Sequence, residues 1–309
     1  MDKKTKKQTD KYSSSFELYN NYFRLIKPRI TTLCLFMAAI GYVIASDFSS
    51  LSKFISCLIG VLLSVSSANV FNMVFERQSD ALMLRTKTRP LASGRVSPGG
   101  ALVFALVLMV LSLFIFWFFV NPLSTLIAFL AIASYSFLYT PLKKYTPLSL
   151  FIGASPGSAP LLLGLVCMSG EVDLKSILFT TLLFIWQMPH FIALAILYKE
   201  DYKKAHIKVV SLVRGETFSL VQSSLWSFLL IVNFVFLFLF DYVSLWSFIL
   251  SSILSLIFFA YGLFGFVSSS LKDWAFVHFK LSLYYLPCVM LILALDSLIG
   301  PFSFFWMGA

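Results

Sequence analysis

Charge is scarce in these 309 residues: Asp, Glu, Lys and Arg together make 12%, about half the share of an ordinary soluble domain. With 59% hydrophobic residues and a mean hydropathy of +0.87, that scarcity excludes a water-soluble fold. Cysteine is sparse too. Cys34, Cys57, Cys167 and Cys288 lie in apolar runs without a C-x-x-C pair, so all four read as buried free thiols with no redox role. There is no Walker A sequence and no H-E-x-x-H, which leaves nucleotide-driven transport and zincin-type hydrolysis without support. The alternating segments of a membrane barrel are missing as well, since the apolar runs are continuous and about twenty residues long. Residues 1–24 lack the apolar core of a signal peptide, and they carry more acid and less Arg than a transit peptide.

What is present is an all-α integral membrane protein. Nine transmembrane helices are expected near 28–46, 52–75, 100–120, 123–140, 147–168, 174–197, 217–240, 245–268 and 278–299. The short connections leave no room for a separate soluble domain. Residues 1–24 read as a disordered basic cytoplasmic tail, and 25–309 as one membrane domain. The net charge of +10 would suit nucleic acid, but the cations lie between spans, so the lipid bilayer accounts for them and no nucleic acid is expected. With the N-terminus in the cytoplasm, 22 of the 24 Lys and Arg fall on one side, and only Lys53 and Lys175 on the other. That asymmetry supports the orientation, and a bacterial inner membrane suits the tail.

The chemistry concentrates at Asn69 to Pro98, NVFNMVFERQSDALMLRTKTRPLASGRVSP. If helical, Asn72, Glu76 and Asp80 stand at i, i+4 and i+8 on one face. Arg77, Arg85, Lys87, Arg89 and Arg95 accompany them. Buried at a membrane surface, this set suits a Mg²⁺–diphosphate site; left in solvent, the acids merely pair with neighbouring Arg. A second cluster closes the sixth span: Lys199, Glu200, Asp201, Lys203, Lys204 and His206, then Arg214 and Glu216. Between them, Lys143 and Lys144 fall on the same side as the acids, and His190 follows a proline within the sixth span. The string GASPGSAP at 153–160 implies either close helix packing or a break lining a cavity. Spans three and four offer little chemistry, His278 and Lys280 are expected near the same surface as the acids, and Asp296 at the opposite one. Carboxylates with a metal and surrounding cations stabilise diphosphate as a leaving group, and an aromatic interior shields a carbocation.

Several ordered motifs resemble the UbiA-type intramembrane prenyltransferases over nearly all of residues 23–299. They are KPRITTL at 27–33, N-x-x-x-E-R-x-x-D with RTKTRPLASG at 72–94, YTPLKKYTPLSLFIGASPGSAPLLLG at 139–164, WQMPHFIALAILYKEDYKKAHI at 186–207, VRGE at 213–216 and FKLSLYYLP at 279–287. The PHF…K-x-D-Y block resembles the heme-prenylating branch more than those acting on hydroxybenzoate or naphthoate. The resemblance implies Mg²⁺ dependence and transfer of farnesyl from farnesyl diphosphate to a vinyl group of heme b, with water quenching the resulting cation to give heme O. It implies a link to a downstream heme-modifying enzyme or terminal-oxidase assembly.

Carried over by motif, Asn72, Glu76 and Asp80 form the first metal–diphosphate set, with Asp201 and Glu200 in the second. Arg77, Arg85, Lys87, Arg89, Lys143, Lys144 and Lys199 become phosphate partners, and His190 lies in the cavity between spans. The family usually carries Asp at Glu76 and a further acid at Gln78. Three other readings stay open: the same fold acting on another acceptor ring, a non-catalytic assembly factor, and a transporter, which would place its acids at mid-membrane.

Overall fold

The computed structural model describes residues 16–45 and 50–299. Among them, nine helices are long and apolar enough to cross a membrane. In chain order they are α2 Pro28–Ala45, α3 Leu51–Leu82, α4 Pro98–Val120, α5 Pro122–Leu142, α6 Ser149–Ser169, α7 Leu174–Leu197, α10 Glu216–Leu239, α11 Leu245–Phe264 and α12 Leu271–Ile299. Three short helices join them: α1 at 16–25, α8 Lys199–Lys204 and α9 Val210–Val213. This is a multi-pass membrane protein.

Local sequence sets most boundaries. Ser50, Ser97, Asn121 and Asp173 each accept a backbone N–H three residues on, at the first turns of α3, α4, α5 and α7. Pro28, Pro98 and Pro122 open helices, where a missing N–H is harmless. Gly170 ends α6 with φ +68°, the left-handed stop that glycine adopts freely.

The central helices are α6 and α7, the most buried of the nine. Gly41 of α2 and Gly164 of α6 let two backbones touch: a Cβ on Gly164 would stand 2.1 Å from the Ala38 carbonyl oxygen. The GASPGSAP string is therefore a packing surface. Pro156 and Pro160 lie inside a continuous helix, and a Cβ on Gly153 or Gly157 would meet Tyr139 or Gln187. Gly153-Ala-Ser-Pro-Gly157 has the spacing of a nucleophile elbow, but that motif needs a strand-to-helix turn, and Ser155 here is exposed on a helix.

Several expectations are corrected. Residues 16–25, most of them expected in a disordered tail, form a helix, with Tyr22 edge-on to Phe104 at 5.3 Å and Leu25 fully buried; residues 1–15 lie outside the described residues. Only Cys57 and Cys167 are buried thiols, while Cys34 is half-buried and Cys288 exposed. His278 is buried in the bundle, stacked 4.5 Å from Phe258 and 4.9 Å from Trp274. Asp296 lies at the end of the bundle opposite the acids, as expected, but is buried there, accepting from Ser244 N and Oγ at the start of α11.

Candidate active site

The second span does not stop at the membrane edge. At about 1.5 Å per residue, the 32 residues of α3 reach roughly 48 Å, well beyond a ~30 Å hydrocarbon core. Its last turns therefore carry Asn72, Glu76 and Asp80 onto one inward face, with 3%, 4% and 1% of their surface exposed. Buried carboxylates must be paired, and these are. Lys143 pairs with Glu76, and the Arg89 guanidinium donates to both oxygens of Asp80 at 2.7 and 2.8 Å. Asn72 donates its amide to Glu76 and, at 3.1 Å, to Thr140 Oγ1.

Asn72, Glu76, Asp80, Arg89 and Lys143 line one cavity of about 210 Å³, together with Lys27, Arg85, Tyr135 and Tyr139. Arg85 donates to Tyr202 at 2.8 Å, and its guanidinium lies 4.8 Å from the Tyr198 ring centre and 5.0 Å from that of Tyr202. Arg89 is placed by the loop after α3. Thr86 caps the Asp80 carbonyl at 2.9 Å, Arg89 N donates to Thr86 O at 2.9 Å, and Arg95 reaches the Thr88 carbonyl.

Four contributors were invisible as site residues in the sequence. Lys27 reads there as a headgroup anchor; in the fold its Nζ donates to Asn72 Oδ1 at 2.9 Å. Its backbone is left-handed, φ +49°, and the preceding Ile26 carbonyl is held by Thr31 Oγ1 at 2.6 Å and Asn69 Nδ2 at 3.3 Å. Burial is the main influence lowering the Lys27 ammonium to a pKa of about 7; Arg89 adds to it, while Glu76 and Asp80 pull the other way. The other three are Tyr135, Tyr139 and Thr140, from a fourth span expected to be inert. Residues 134–139 form a wider π turn, a feature that re-aims side chains and often marks functional sites. The two tyrosine rings stack at 5.4 Å. A Lys directly before the first Pro, and tyrosines four apart beside Lys143, were the available signals.

Not every expected residue joins the cavity. Asp201 is buried, but its Oδ1 accepts from Leu84 N at 3.5 Å, and so ties α8 to the loop after α3. Its neighbour Tyr202 lines the cavity, and burial raises the phenol's pKa against the pull of Arg85. Glu200, Arg77 and Lys87 are exposed outside it, as is Gln78, so the acid missing at that position faces away from the site. Lys144 is half-buried and is not a lining residue. Lys199 pairs with Glu216 at 2.7 Å. His190 is outside the lining set: its Nδ1 lies 2.7 Å from Ser282 Oγ and its ring stacks 4.9 Å from Trp186, while the adjacent Phe191 and Ile192 do line the cavity.

Two buried carboxylates, an amide oxygen and five cations, with Lys208 at the rim, around one small cavity at the end of a membrane bundle suit a metal-bound polyanion. The family model for UbiA prenyltransferases matches residues 34–284. The chain belongs to the UbiA prenyltransferase family. It is 35% identical to a protoheme IX farnesyltransferase of Myxococcus xanthus over 272 residues, covering 88% of this chain and 92% of that one. A protoheme IX farnesyltransferase of Microcystis aeruginosa is 38% identical over 229 residues, 73% of this chain and 72% of that one. The UbiA fold is seen directly in solved structures. A digeranylgeranylglyceryl phosphate synthase superimposes with TM-score 0.79 at 20% identity, covering 92% of this chain and all of that one. A UbiA homologue from Archaeoglobus fulgidus, bound to GPP and Mg²⁺, gives TM-score 0.63 at 18% identity, covering 89% and 99%.

Proposed function

We propose that this UbiA-family chain transfers the farnesyl group of farnesyl diphosphate to a vinyl group of heme b, with addition of water, giving heme O and diphosphate. The observation carrying this reading is the meeting of Glu76 and Asp80 with Lys27, Arg85, Arg89 and Lys143 in one cavity. The name of the relatives, protoheme IX farnesyltransferase, supports farnesyl as the group transferred and protoheme as the acceptor.

No three acidic, His or Cys side chains converge as a metal cluster among the described residues. The donor set is nonetheless all oxygen, which fits a hard divalent ion that leaves most of its shell to phosphate oxygens. Asn72, Glu76 and Asp80 would hold Mg²⁺, which supplies Lewis-acid stabilisation of the leaving diphosphate. Lys27, Arg85, Arg89 and Lys143 would neutralise the remaining phosphate charge. Asp201 positions the loop bearing Arg85 and Arg89 through Leu84.

The farnesyl C1–O bond breaks as the vinyl electrons form a new C–C bond to C1. The cation left on the vinyl carbon next to the ring takes water and loses a proton. Tyr135 and Tyr139 line this cavity, and their aromatic rings would stabilise positive charge there. The apolar lining from Leu150, Phe191 and Ile192 excludes water from the donor carbon. The distribution of Lys and Arg supports a site that faces the cytoplasm of a bacterial inner membrane. The test supplies membranes carrying this chain with heme b, farnesyl diphosphate and Mg²⁺, then separates the extracted hemes by chromatography and mass. A product heavier by one hydroxyfarnesyl unit and lost with EDTA is expected. Diphosphate release only with an aromatic ring as acceptor would overturn the heme assignment.

A further inference from the structure

A second hollow, of about 640 Å³ and open to solvent, lies beside the active-site cavity. Lys199, Lys203, His206 and Lys208 line it against a single acid, Glu200, with Leu212 and Val213 as its apolar part. Ile207 and Lys208 line both hollows, so two residues form the wall between them. That wall is pinned to the catalytic side. Lys208 N donates to the Lys143 carbonyl at 2.9 Å, and Lys143 pairs with Glu76.

A further feature sets the hollow apart from a merely solvated surface. Lys199 is neutralised by Glu216, but the side chains of Lys203, His206 and Lys208 make no hydrogen bond or ion pair with any described residue. His206 ends α8 in the left-handed region, φ +54°, where Ile207 N donates to Tyr202 O at 2.9 Å and His206 N to Lys203 O at 3.1 Å, and this stop fixes where the exposed ring stands on the rim of the hollow.

The donor's anion is already matched by Lys27, Arg85, Arg89 and Lys143 of the first cavity, which leaves Lys208 on the shared wall. The acceptor proposed above brings its own charge: heme b carries two propionates on one edge and its vinyl groups toward the other. We propose that this hollow is the acceptor's carboxylate anchor, with Lys203, His206 and Lys208 holding the propionates and the vinyl edge directed across Ile207 toward the diphosphate cavity. The inference rests on heme b being the acceptor. It explains how an amphipathic macrocycle is oriented at the membrane surface: its charged edge stays at the wet rim and only its apolar edge enters the bundle. Each exposed pair is weak, so the anchor works as a set.

The test uses the purified full chain in neutral detergent, comparing wild type with Lys203→Gln/His206→Gly. Both proteins are titrated by absorbance with heme b and with its dimethyl ester, and farnesyl transfer is followed with each. The glycine relieves the left-handed backbone, so an unchanged melting temperature verifies the fold. The variant is expected to bind heme b roughly threefold to tenfold more weakly, with a matching rise in KM for heme and no change in kcat or in KM for farnesyl diphosphate. The dimethyl ester should bind both proteins alike. Equal binding of heme b to both proteins, or an equal loss for the ester, would overturn the anchor. So would a difference that appears only with added phosphatidylglycerol, which would assign the hollow to a lipid headgroup. A wild type that binds heme b better than the variant yet forms no product would sustain the anchor and overturn the transfer reaction.

Discussion

Lys27 Nζ donates to Asn72 Oδ1 at 2.9 Å, joining the entry of the first span to the inward face of the second across 45 residues of chain. This contact turns a membrane-surface lysine into a cavity cation.

Lys27 is lowered to about 7 by burial and Arg89, so the free protein loses this proton as pH rises through neutrality. Diphosphate binds the charged form. Below pH 7 the ammonium is already present and affinity is insensitive to it. Above pH 7 binding must take up a proton, and affinity falls by up to about tenfold per pH unit until the value in the complex is reached. Calorimetric titration of Mg²⁺–diphosphate from pH 6 to 9, in buffers of different ionisation heat, measures this. Lys27→Arg keeps the charge throughout and should flatten the profile.

Asp80→Asn removes one of two buried carboxylates and leaves Arg89 facing a neutral amide. Farnesyl transfer should fall by roughly 10²-fold or more, the scale for losing a preorganised electrostatic contact. Product formation against the Mg²⁺ concentration measures it. Retention of full activity would remove Asp80 from the site.

Lys143→Met breaks the pair with Glu76 and removes a phosphate partner while leaving the Lys143 backbone contact to Lys208 in place. KM for farnesyl diphosphate should rise about tenfold, and an exposed control, Lys87→Met, should leave it unchanged, as initial rates would show.

Gly164→Ala tests the crossing that holds the bundle's centre. The added Cβ would stand 2.1 Å from a backbone oxygen that cannot rotate away, whereas one at Gly99 meets nothing within 4 Å. The first substitution should destabilise by about 1–3 kcal/mol and the second hardly at all, as thermal unfolding in detergent would show.

Much of the architecture is legible without coordinates because membrane spans announce themselves by length and hydropathy, and caps and prolines punctuate them. The nine spans, the Asn72/Glu76/Asp80 face and the opening proline of α2 all follow from local rules. Boundaries drift where polar residues ride on a continuing helix: α3 runs on to Leu82, well past its expected end near residue 75, and α12 begins at Leu271, not near 278. Hydropathy falls there although helical hydrogen bonding does not.

The candidate site divides along the same line. Composition and spacing determined that this chain is a membrane bundle with acids and bases gathered at one end, because burial cost and helical periodicity act on each segment by itself. Tertiary structure decided which charges meet. Lys27 and Lys143 come from distant entries to reach Asn72 and Glu76, a π turn aims Tyr135 and Tyr139 inward, and Arg77 and Lys87 are left outside although adjacent in sequence. Ion pairing depends on distances of a few ångströms between separate helices, and those distances exist only once the helices have packed.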